Sequence, residues 1–360
     1  MSHFRFVASL CVLLLLAATF AVAASTTYVV GACLPSLPTY PTISDALAAV
    51  PPPLTIKVCP GTYNEQVEIT YGVTLEGISS GDSGQAIIAP PSGGLALNAT
   101  VENGAAAAAQ VWVNGASGPV NISNLTIDAT GNQSPNGFII GVLYENSAGT
   151  VNHITTRYQN TNFEGMGVWL EGGSSNPSVT IENSSIHDFD YQGIFAETFR
   201  QSTPELTATI KNNTVVSNVL FIGGISLGGG ETSTVSGNLV MGMTFGITSQ
   251  EGSSGSISDN TVANISNGFG IEVAGSQSVT SNRLYGVNTT GIYVGTNSGP
   301  VTGNTITNSP TGIEMGCNTG LTVHSNTLID TVTGLDGLAH GAQSINSYYN
   351  VSTIANTNCL

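Results

Sequence analysis

One residue type returns at a fixed interval in the second half of this 360-residue chain. The asparagines spaced by 22 residues are Asn238, Asn260, Asn282, Asn304 and Asn326. A period of this length, repeated several times, is typical of a solenoid built from stacked coils, not of unrelated globular domains. We expect Asn124, Asn183 and Asn213 to hold the same position in longer upstream repeats.

Each repeat reads as short strands. Apolar residues alternate with polar ones in brief runs such as "TVSGNLV" and "GIEVAG", which are too short for helices. Three strands in about 22 residues predict one coil of a single-stranded parallel β-helix, an all-β solenoid. A leucine-rich repeat has a similar length, but its leucines at fixed positions are missing. A glycine before an aliphatic residue also recurs, as in Gly246-Ile247 and Gly312-Ile313, and we expect this glycine to provide backbone freedom at a corner.

The N-terminal segment resembles an export signal. Arg5 precedes an apolar run, and "AVAA" offers small residues for cleavage near Ala23 or Ala24. We therefore predict a signal peptide over residues 1–24, a single β-helix domain over 25–360, and a secreted or periplasmic location. An N-terminal anchor helix is the alternative.

Both ends of an open solenoid need covering. "TISDALAAV", residues 42–50, has an apolar helical stripe and a capping-box-like start, and three prolines follow it. It is predicted to be an N-terminal cap helix. Residues 346–360 lose the glycine-aliphatic pair and are predicted to form the C-terminal cap.

Four cysteines follow the signal segment: Cys33, Cys59, Cys317 and Cys359. An even number in an exported chain indicates disulfides, and proximity in sequence favours Cys33 with Cys59 and Cys317 with Cys359. Zinc binding is the alternative, but no Cys-x-x-Cys or histidine pair supports it.

The charge balance limits the partners. The chain has 6 Lys and Arg against 22 Asp and Glu, for a formal net charge of −16. Nucleic acid is excluded as a partner, since its phosphates need a basic surface. An anionic polymer would need a local basic spot or bridging cations. We predict a monomer with no membrane span after cleavage.

"YPTISDALAAV" followed by "IKVCPGTYNEQVEI" resembles the opening of secreted right-handed β-helix proteins of the pectin lyase-like, pectin-esterase-like superfamily. The resemblance covers roughly residues 40–345, because the later repeats resemble the generic coils of bacterial exported members. It implies a right-handed helix, often polysaccharide substrates, and a site on the outer groove of the central coils. The motifs of pectin methylesterases and polygalacturonases are absent.

Two outward columns are candidates for a site. Two residues after each glycine of the glycine-aliphatic pair come Leu143, Trp169 and Phe195. Two positions further on come Glu145, Glu171 and Glu197. The aromatic rings are predicted to stack on sugars, with Glu171, Glu197 and Arg200 as further substrate-binding residues. The three glutamates are predicted to form a calcium site. The alternative is a set of solvated rim acids with rings that cover a loop.

The second candidate follows the upstream asparagines. Asp128, Arg157 and His187 align at one column, and Tyr158 and Asp188 adjoin it. An acid, a cation and a histidine suit general acid/base chemistry on an acidic sugar. The resemblance adds that polysaccharide lyases of this fold use such residues, often with Ca²⁺. We assign catalysis to Asp128, Arg157, His187 and Asp188, and substrate binding to Tyr158. A surface ion pair beside a loop histidine is the alternative.

These patterns lead to two functional hypotheses. The first is a secreted protein that binds, and as a lyase or glycoside hydrolase cleaves, a polysaccharide or cell-surface glycan. The second is a non-catalytic structural or adhesion module of the cell surface or envelope.

Overall fold

The computed structural model is a coil in which each turn, called a rung below, contributes strands to three long sheets. It describes residues 26–79, 85–101, 104–132, 136–160, 164–173, 175–198, 206–217, 222–295, 298–316, 321–337 and 345–356. No helix in these ranges is long and apolar enough to cross a membrane. The predicted signal peptide, Arg200, Cys317 and Cys359 lie outside the described residues.

The three sheets are named A, B and C in the order in which the chain visits them. The strands of sheet A, in stacking order, are β2 (Thr39–Tyr40), β1 (Thr27–Val30), β3 (Thr55–Val58), β6 (Thr74–Gly77), β10 (Val120–Ser123), β13 (Gly149–Asn152), β16 (Ser178–Glu182), β19 (Leu206–Lys211), β22 (Glu231–Ser236), β25 (Ser254–Ser258), β28 (Ser278–Thr280), β31 (Val301–Thr302) and β34 (Val323–His324). Those of sheet B are β4 (Gly61–Asn64), β7 (Ala86–Ala89), β11 (Leu125–Asp128), β14 (Thr155–Arg157), β17 (Ser185–His187), β20 (Thr214–Val216), β23 (Leu239–Met241), β26 (Thr261–Ile265), β29 (Arg283–Val287), β32 (Thr305–Thr307), β35 (Thr327–Ile329) and β37 (Ser347–Tyr349). Those of sheet C are β5 (Val67–Ile69), β9 (Ala105–Asn114), β12 (Phe138–Glu145), β15 (Gly165–Gly172), β18 (Gln192–Thr198), β21 (Gly223–Leu227), β24 (Phe245–Ser249), β27 (Phe269–Val273), β30 (Thr290–Val294), β33 (Thr311–Met315), β36 (Thr333–Asp336) and β38 (Thr353–Asn356), with β8 (Ala99–Val101) paired antiparallel to β9.

The prediction of a parallel β-helix is confirmed, and its core is a set of aliphatic stacks. In sheet A, for example, Ile210, Val235, Ile257, Val279 and Val301 are register partners on successive rungs, and all are fully buried. Alternation along each strand turns every second side chain inward, so apolar residues of the three sheets meet inside the coil.

Asparagine forms a continuous buried ladder at the corner between sheets A and B. In each step the Oδ1 of one asparagine accepts the backbone N–H and the Nδ2–H of the asparagine on the preceding rung, at 2.9–3.0 Å. The ladder comprises Asn213, Asn238, Asn260, Asn282, Asn304, Asn326 and Asn346. Backbone groups at a buried corner need such partners, because they have lost contact with water.

The upstream assignment of this ladder is wrong by one residue. Asn124 and Asn183 precede the ladder position and have φ of 56° and 53°, in the left-handed region. Ser184 occupies the ladder position instead, and its backbone N–H donates to the Oδ1 of Asn213 at 3.0 Å. Asparagine suits both positions, since it tolerates left-handed backbone and also bonds nearby backbone groups.

The recurring glycine before the aliphatic residue has a different role from the one expected. Gly246 and Gly312 do not have positive φ, whereas the corner residues Gly237, Asp259 and Ser281, just before the ladder, do. A Cβ on Gly312 would lie 2.6 Å from the carbonyl oxygen of Gly334 on the next rung. The glycine column therefore provides space between rungs, not backbone freedom.

A short helix and a disulfide lie at the N-terminal end. Helix α1 spans Ile43–Leu47, and the side chain of Thr42 accepts the N–H of Asp45 at its start. The Cys33–Cys59 disulfide is present, as predicted. At the other end, residues 346–356 contribute Asn346 to the ladder and the strands β37 and β38, so this segment continues the coil.

Candidate functional site

The outward face of sheet C carries the predicted column in the expected register. This column, called the outer column below, has one member on each rung: Trp112, Leu143, Trp169, Phe195, Ser226, Thr248, Glu272, Tyr293, Glu314 and Asp336. From Trp112 to Phe195 the column is apolar and mostly aromatic, whereas from Ser226 onward every side chain carries a polar group, so the two parts present different chemistry on one face.

The upstream half is covered. Trp169 is only 2% exposed and packs with Leu143 and Met166 in an apolar cluster on the outside of sheet C. Phe138 meets Trp169 edge-on at a centroid distance of 5.5 Å, and Phe195 lies 5.2 Å away on the other side. The expectation of a sugar-stacking surface is therefore wrong for Trp169, whose ring is occupied by protein neighbours, whereas Phe195 is half-buried.

The covering elements come from outside the repeat. Strand β8 brings Ala99 and Val101 onto the apolar cluster, and Phe138 enters at the first position of β12. Burying a large indole in this way is favourable in itself. The alternative prediction, in which these rings pack against a neighbouring segment of the chain, therefore holds for Trp169.

The three predicted calcium ligands do stack in register, but they are not solvated rim acids. Glu171 and Glu197 are 6% and 4% exposed. Burial raises the pKa of Glu145, and a hydrogen bond from the Nε1 of Trp112, at 3.0 Å, opposes that shift. Among the described residues, no group of three or more His, Cys, Asp and Glu side chains is arranged to hold a metal ion. The glutamates therefore do not fit a preformed calcium site, and no chemistry is assigned to one.

The downstream half of the face holds an open groove of about 580 Å³, called the sheet C groove below. It is lined by Gly228, Phe245, Thr248, Ser249, Gln250, Glu251, Glu272 and Ala274. The rungs here are short, and the outer column carries small side chains, so no neighbouring segment of the described chain fills the space. At the upstream end, a Cβ on Gly228 would lie 2.9 Å from the ring of Phe195, which shows how closely that ring closes the groove.

An aromatic ring, hydroxyls and carboxyl groups meet in this groove. The hydroxyl of Thr248 donates to the Oγ of Ser226 at 3.0 Å, which in turn donates to Gln192 at 2.6 Å, so the polar floor is ordered. Burial raises the pKa of Glu272. The ring of Phe269, on the same strand as Glu272, packs at a tilt against the ring of Tyr293 on the next rung, with a centroid distance of 4.8 Å. Glu272 and Tyr293 stand two residues after Gly270 and Gly291, the same spacing that identified Trp169 and Phe195, but the prediction from the sequence favoured the upstream rings.

The second predicted cluster lies on the outward face of sheet B, in the expected register. Asp128, Arg157 and His187 are partners on consecutive rungs. The Nε and Nη2 of Arg157 both donate to Asp128 Oδ2, at 2.9 and 2.7 Å. His187 Nδ1 lies 2.7 Å from Asp188 Oδ2, and the ring of Tyr158 lies 5.9 Å from the Arg157 guanidinium.

The charges of this cluster are paired within it. The side chains of Arg157 and His187 are 35% and 33% exposed, so each is accessible, but each has a carboxylate beside it. The same holds for Lys57 and Lys211, so three of the four basic residues in the described ranges are ion-paired, with Arg283 the fourth. A surface of this kind offers little attraction to a polyanion. The two predicted clusters also occupy different sheets and do not form one site.

Acid is expected to weaken the Asp128–Arg157 pair. Burial raises the pKa of Asp128. Hydrogen bonds from Thr130 and Arg157, together with the positive charge of Arg157, lower the pKa by more than burial raises it, so the net shift is downward. A depressed carboxyl pKa stabilises the fold above the unfolded value, about 3.9, and that stability is lost as the pH falls through the folded pKa. Asp128→Asn should thus cost about 1 kcal/mol at pH 7, given the partly exposed arginine.

The check is the unfolding free energy of both proteins as a function of pH. The difference between wild type and Asp128→Asn should shrink as the pH falls below the unfolded pKa, about 3.9, and through the lowered folded pKa of Asp128. A difference that stays constant from neutral to acid pH would contradict the assigned ion pair.

Comparison with known proteins defines the fold class further. A family model described as right handed beta helix region matches residues 166–328. Compared by sequence, no curated protein matches the chain. Among solved structures, the A-module of the mannuronan C-5 epimerase AlgE4 from Azotobacter vinelandii superposes with a TM-score of 0.53 at 15% identity, covering 88% of this chain and 91% of that one.

Two further structures superpose over similar lengths. The GH136 lacto-N-biosidase from Eubacterium ramulus has a TM-score of 0.55 at 11% identity and covers 92% of this chain and 68% of its own. The periplasmic alginate epimerase AlgG has a TM-score of 0.51 at 16% identity, with 91% and 83% covered. At such identities the likeness shows the fold alone. The chain therefore has the right-handed parallel β-helix fold.

Proposed function

We propose that this protein binds a polysaccharide chain in the sheet C groove. The observation that carries the proposal is the meeting of the Phe245 ring with Thr248, Gln250 and Glu272 in one open depression. Sugars present apolar C–H faces that pack on aromatic rings, and hydroxyls that bond to amide, hydroxyl and carboxylate groups. The three structures compared above are named as enzymes of carbohydrate chains, which supports the same ligand class.

The charges of the chain favour an uncharged polysaccharide. Both ionisable residues of the groove are acidic, Glu251 and Glu272, and the net charge is −16. A uronate chain would bring its carboxylates against these groups, which is unfavourable at close range. We extend the proposal to export, since the Cys33–Cys59 disulfide suits an oxidising compartment. N-terminal sequencing of the secreted protein should begin after Ala23 or Ala24.

Loss of the Phe245 ring should weaken glycan binding. Phe245→Ala is expected to reduce affinity roughly tenfold, which corresponds to about 1.4 kcal/mol, since the ring supplies the groove's apolar face. Calorimetry would follow a screen of cello-, xylo-, manno- and oligogalacturonate oligosaccharides. Because Phe245 is half-buried, Gln250→Ala, at an exposed position, is the second variant and should weaken binding without affecting the fold.

Tyr285→Ala is the matched control. Tyr285 is 44% exposed on the outward face of sheet B and stands two rungs downstream of Phe245. Equal losses from Tyr285→Ala and Phe245→Ala, or tighter binding of oligogalacturonate than of every neutral series, would reject the proposed groove.

A second candidate function is hydrolysis of the bound chain, favoured by the two carboxyl groups in the groove. Glycoside hydrolases use one carboxyl as an acid, which protonates the glycosidic oxygen, and one as a base or nucleophile. Burial raises the pKa of Glu272, as an acid requires, while Glu251 is exposed. Glu272→Gln should then lower the cleavage rate at least about 100-fold and preserve binding.

The pH profile gives an independent check of this assignment. Activity that needs protonated Glu272 is lost as the pH rises through its raised pKa. The other chemistry proposed from the sequence is elimination at Asp128, Arg157, His187 and Asp188, and it predicts the opposite effects of substitution. In that case His187→Ala abolishes an ultraviolet-absorbing unsaturated product and Glu272→Gln has no effect. A protein that binds glycans with neither product formed is the non-catalytic module.

A further inference from the structure

A polar depression lies on the outward side of sheet B, away from the sheet C groove. It has a volume of about 440 Å³ and is lined by Asp259, Thr261, Ser281, Arg283, Gly303 and Thr305. Thr261, Arg283 and Thr305 are register partners on β26, β29 and β32, and the other three residues precede these strands at the corner with sheet A. No aromatic ring is among the lining residues, so the depression lacks the apolar surface on which a sugar packs.

Arg283 differs from the other basic residues of the described chain. Lys57, Arg157 and Lys211 each lie 3.0 Å or less from a carboxylate oxygen. Arg283 is exposed, and its guanidinium forms no ion pair with any residue that the structure describes. Because a guanidinium only donates hydrogen bonds, it can receive a ligand that brings an anionic acceptor, and a carboxylate can accept two parallel bonds from it.

Asp259 gives the same depression a charge of the opposite sign. It is exposed at the corner, with φ of 57°, and its carboxylate has no side-chain partner within the described ranges. A carboxylate only accepts hydrogen bonds, so it suits a ligand that brings N–H donors. The hydroxyls of Thr261 and Ser281, which can donate or accept, adjoin both charges, and Gly303 adds no side chain to fill the space.

We infer that this depression binds a small zwitterion, a molecule whose carboxylate and ammonium groups lie close together, as in a free amino acid. The carboxylate would face Arg283 and the ammonium group Asp259. A simple anion is repelled by the net charge of −16, and a simple cation by Arg283, whereas a zwitterion has no net charge and pairs with both residues. The inference does not depend on the sheet C groove.

Titration of the intact protein, followed by nuclear magnetic resonance at low ionic strength, tests the inference. Glycine and L-serine are the zwitterionic probes, acetate and inorganic phosphate the anionic probes, and methylammonium the cationic probe. Glycine and serine should produce saturable shifts at the Arg283 Nε–H and at the backbone amides of Ser281 and Thr305. The Kd should be on the order of 1 mM, since both charged groups are exposed to solvent. The other probes should bind at least about threefold more weakly.

Two substitutions separate a zwitterion site from a plain anion site. Arg283→Gln should weaken the binding of both serine and phosphate by about three- to fivefold. Asp259→Asn should weaken serine binding to a similar extent but strengthen phosphate binding, because it removes a repelling charge. Asp330→Asn is the matched control, since it makes the same charge change at another exposed residue with positive φ and should leave both affinities unchanged.

Three results would each overturn the zwitterion site. The first is tighter binding of acetate or phosphate than of serine by the wild-type protein. The second is serine binding that neither Arg283→Gln nor Asp259→Asn weakens. The third is the absence of a saturable shift at Ser281, Arg283 and Thr305 with every probe.

Discussion

Replacing Asn282 with alanine is expected to lower the free energy of unfolding by about 2–4 kcal/mol. Asn282 is fully buried, and its Oδ1 accepts both the backbone N–H and the Nδ2–H of Asn260 at 3.0 Å. Its own Nδ2 donates to the carbonyl of Ile257 and to Asn304 Oδ1. Alanine would leave the backbone N–H and Nδ2 of Asn260 and the carbonyl of Ile257, all on the preceding rung, without these partners, and each such buried group costs about 1–3 kcal/mol.

Chemical denaturation followed by circular dichroism measures this loss. Asn267→Ala is the matched control, because Asn267 is exposed in a bend on a neighbouring rung and should change stability by less than about 0.5 kcal/mol. If the two variants unfolded at the same denaturant concentration, the ladder would contribute no more than an exposed asparagine.

A methyl group at Gly246 is expected to destabilise the coil by about 3 kcal/mol or more, or to prevent folding. An added Cβ would lie 2.3 Å from the carbonyl oxygen of Gly270 and 2.6 Å from the Cγ1 of Val262. The carbonyl belongs to the backbone of the next rung, so it can move only if the rungs separate. The cost therefore arises from overpacking in a close-packed interior.

Gly93→Ala provides the comparison for this prediction. No atom lies within 4 Å of the position a Cβ would take at Gly93, and its φ is not in the left-handed region. Alanine there should be neutral or stabilise the fold by up to about 1 kcal/mol, because it restricts the unfolded chain. Thermal unfolding of both variants tests the pair, and a Gly246→Ala protein as stable as wild type would show that the rungs are not in close contact.

Much of this architecture follows from periodicity alone. The 22-residue interval specifies one rung, and the alternation of Val and Ile with polar residues specifies which side chains point inward. Parallel pairing in register is then enough to place Trp169 beside Phe195 and Arg157 beside His187, as the strands indeed pair. Each of these assignments depends on local patterns that repeat, and such patterns are strongly determined when one face is buried.

The parts that could not be predicted depend on residues outside the repeat. Trp169 is buried because β8 and Phe138 cover it, and neither belongs to the periodic pattern. The one-residue error at Asn124 and Asn183 arose because two adjacent corner positions both favour asparagine. The ion pair in the candidate site could not be predicted either. Register places Arg157 beside Asp128, but it does not show that the Nε and Nη2 groups of Arg157 both donate to one carboxylate oxygen.

The Cys33–Cys59 disulfide affects how the N-terminal end of the coil responds to force. Rungs contact only their neighbours, so a solenoid under tension unravels progressively from an end. Cys33 follows β1 and Cys59 follows β3, and these two strands pair directly. A force applied at the N-terminus is therefore carried by a covalent bond from Cys33 to Cys59, and the loop between them, a sequence separation of 26, cannot be extended while that bond is intact. Reduction should lower the force at which the first rungs detach, so the N-terminal end resists pulling in a redox-dependent way.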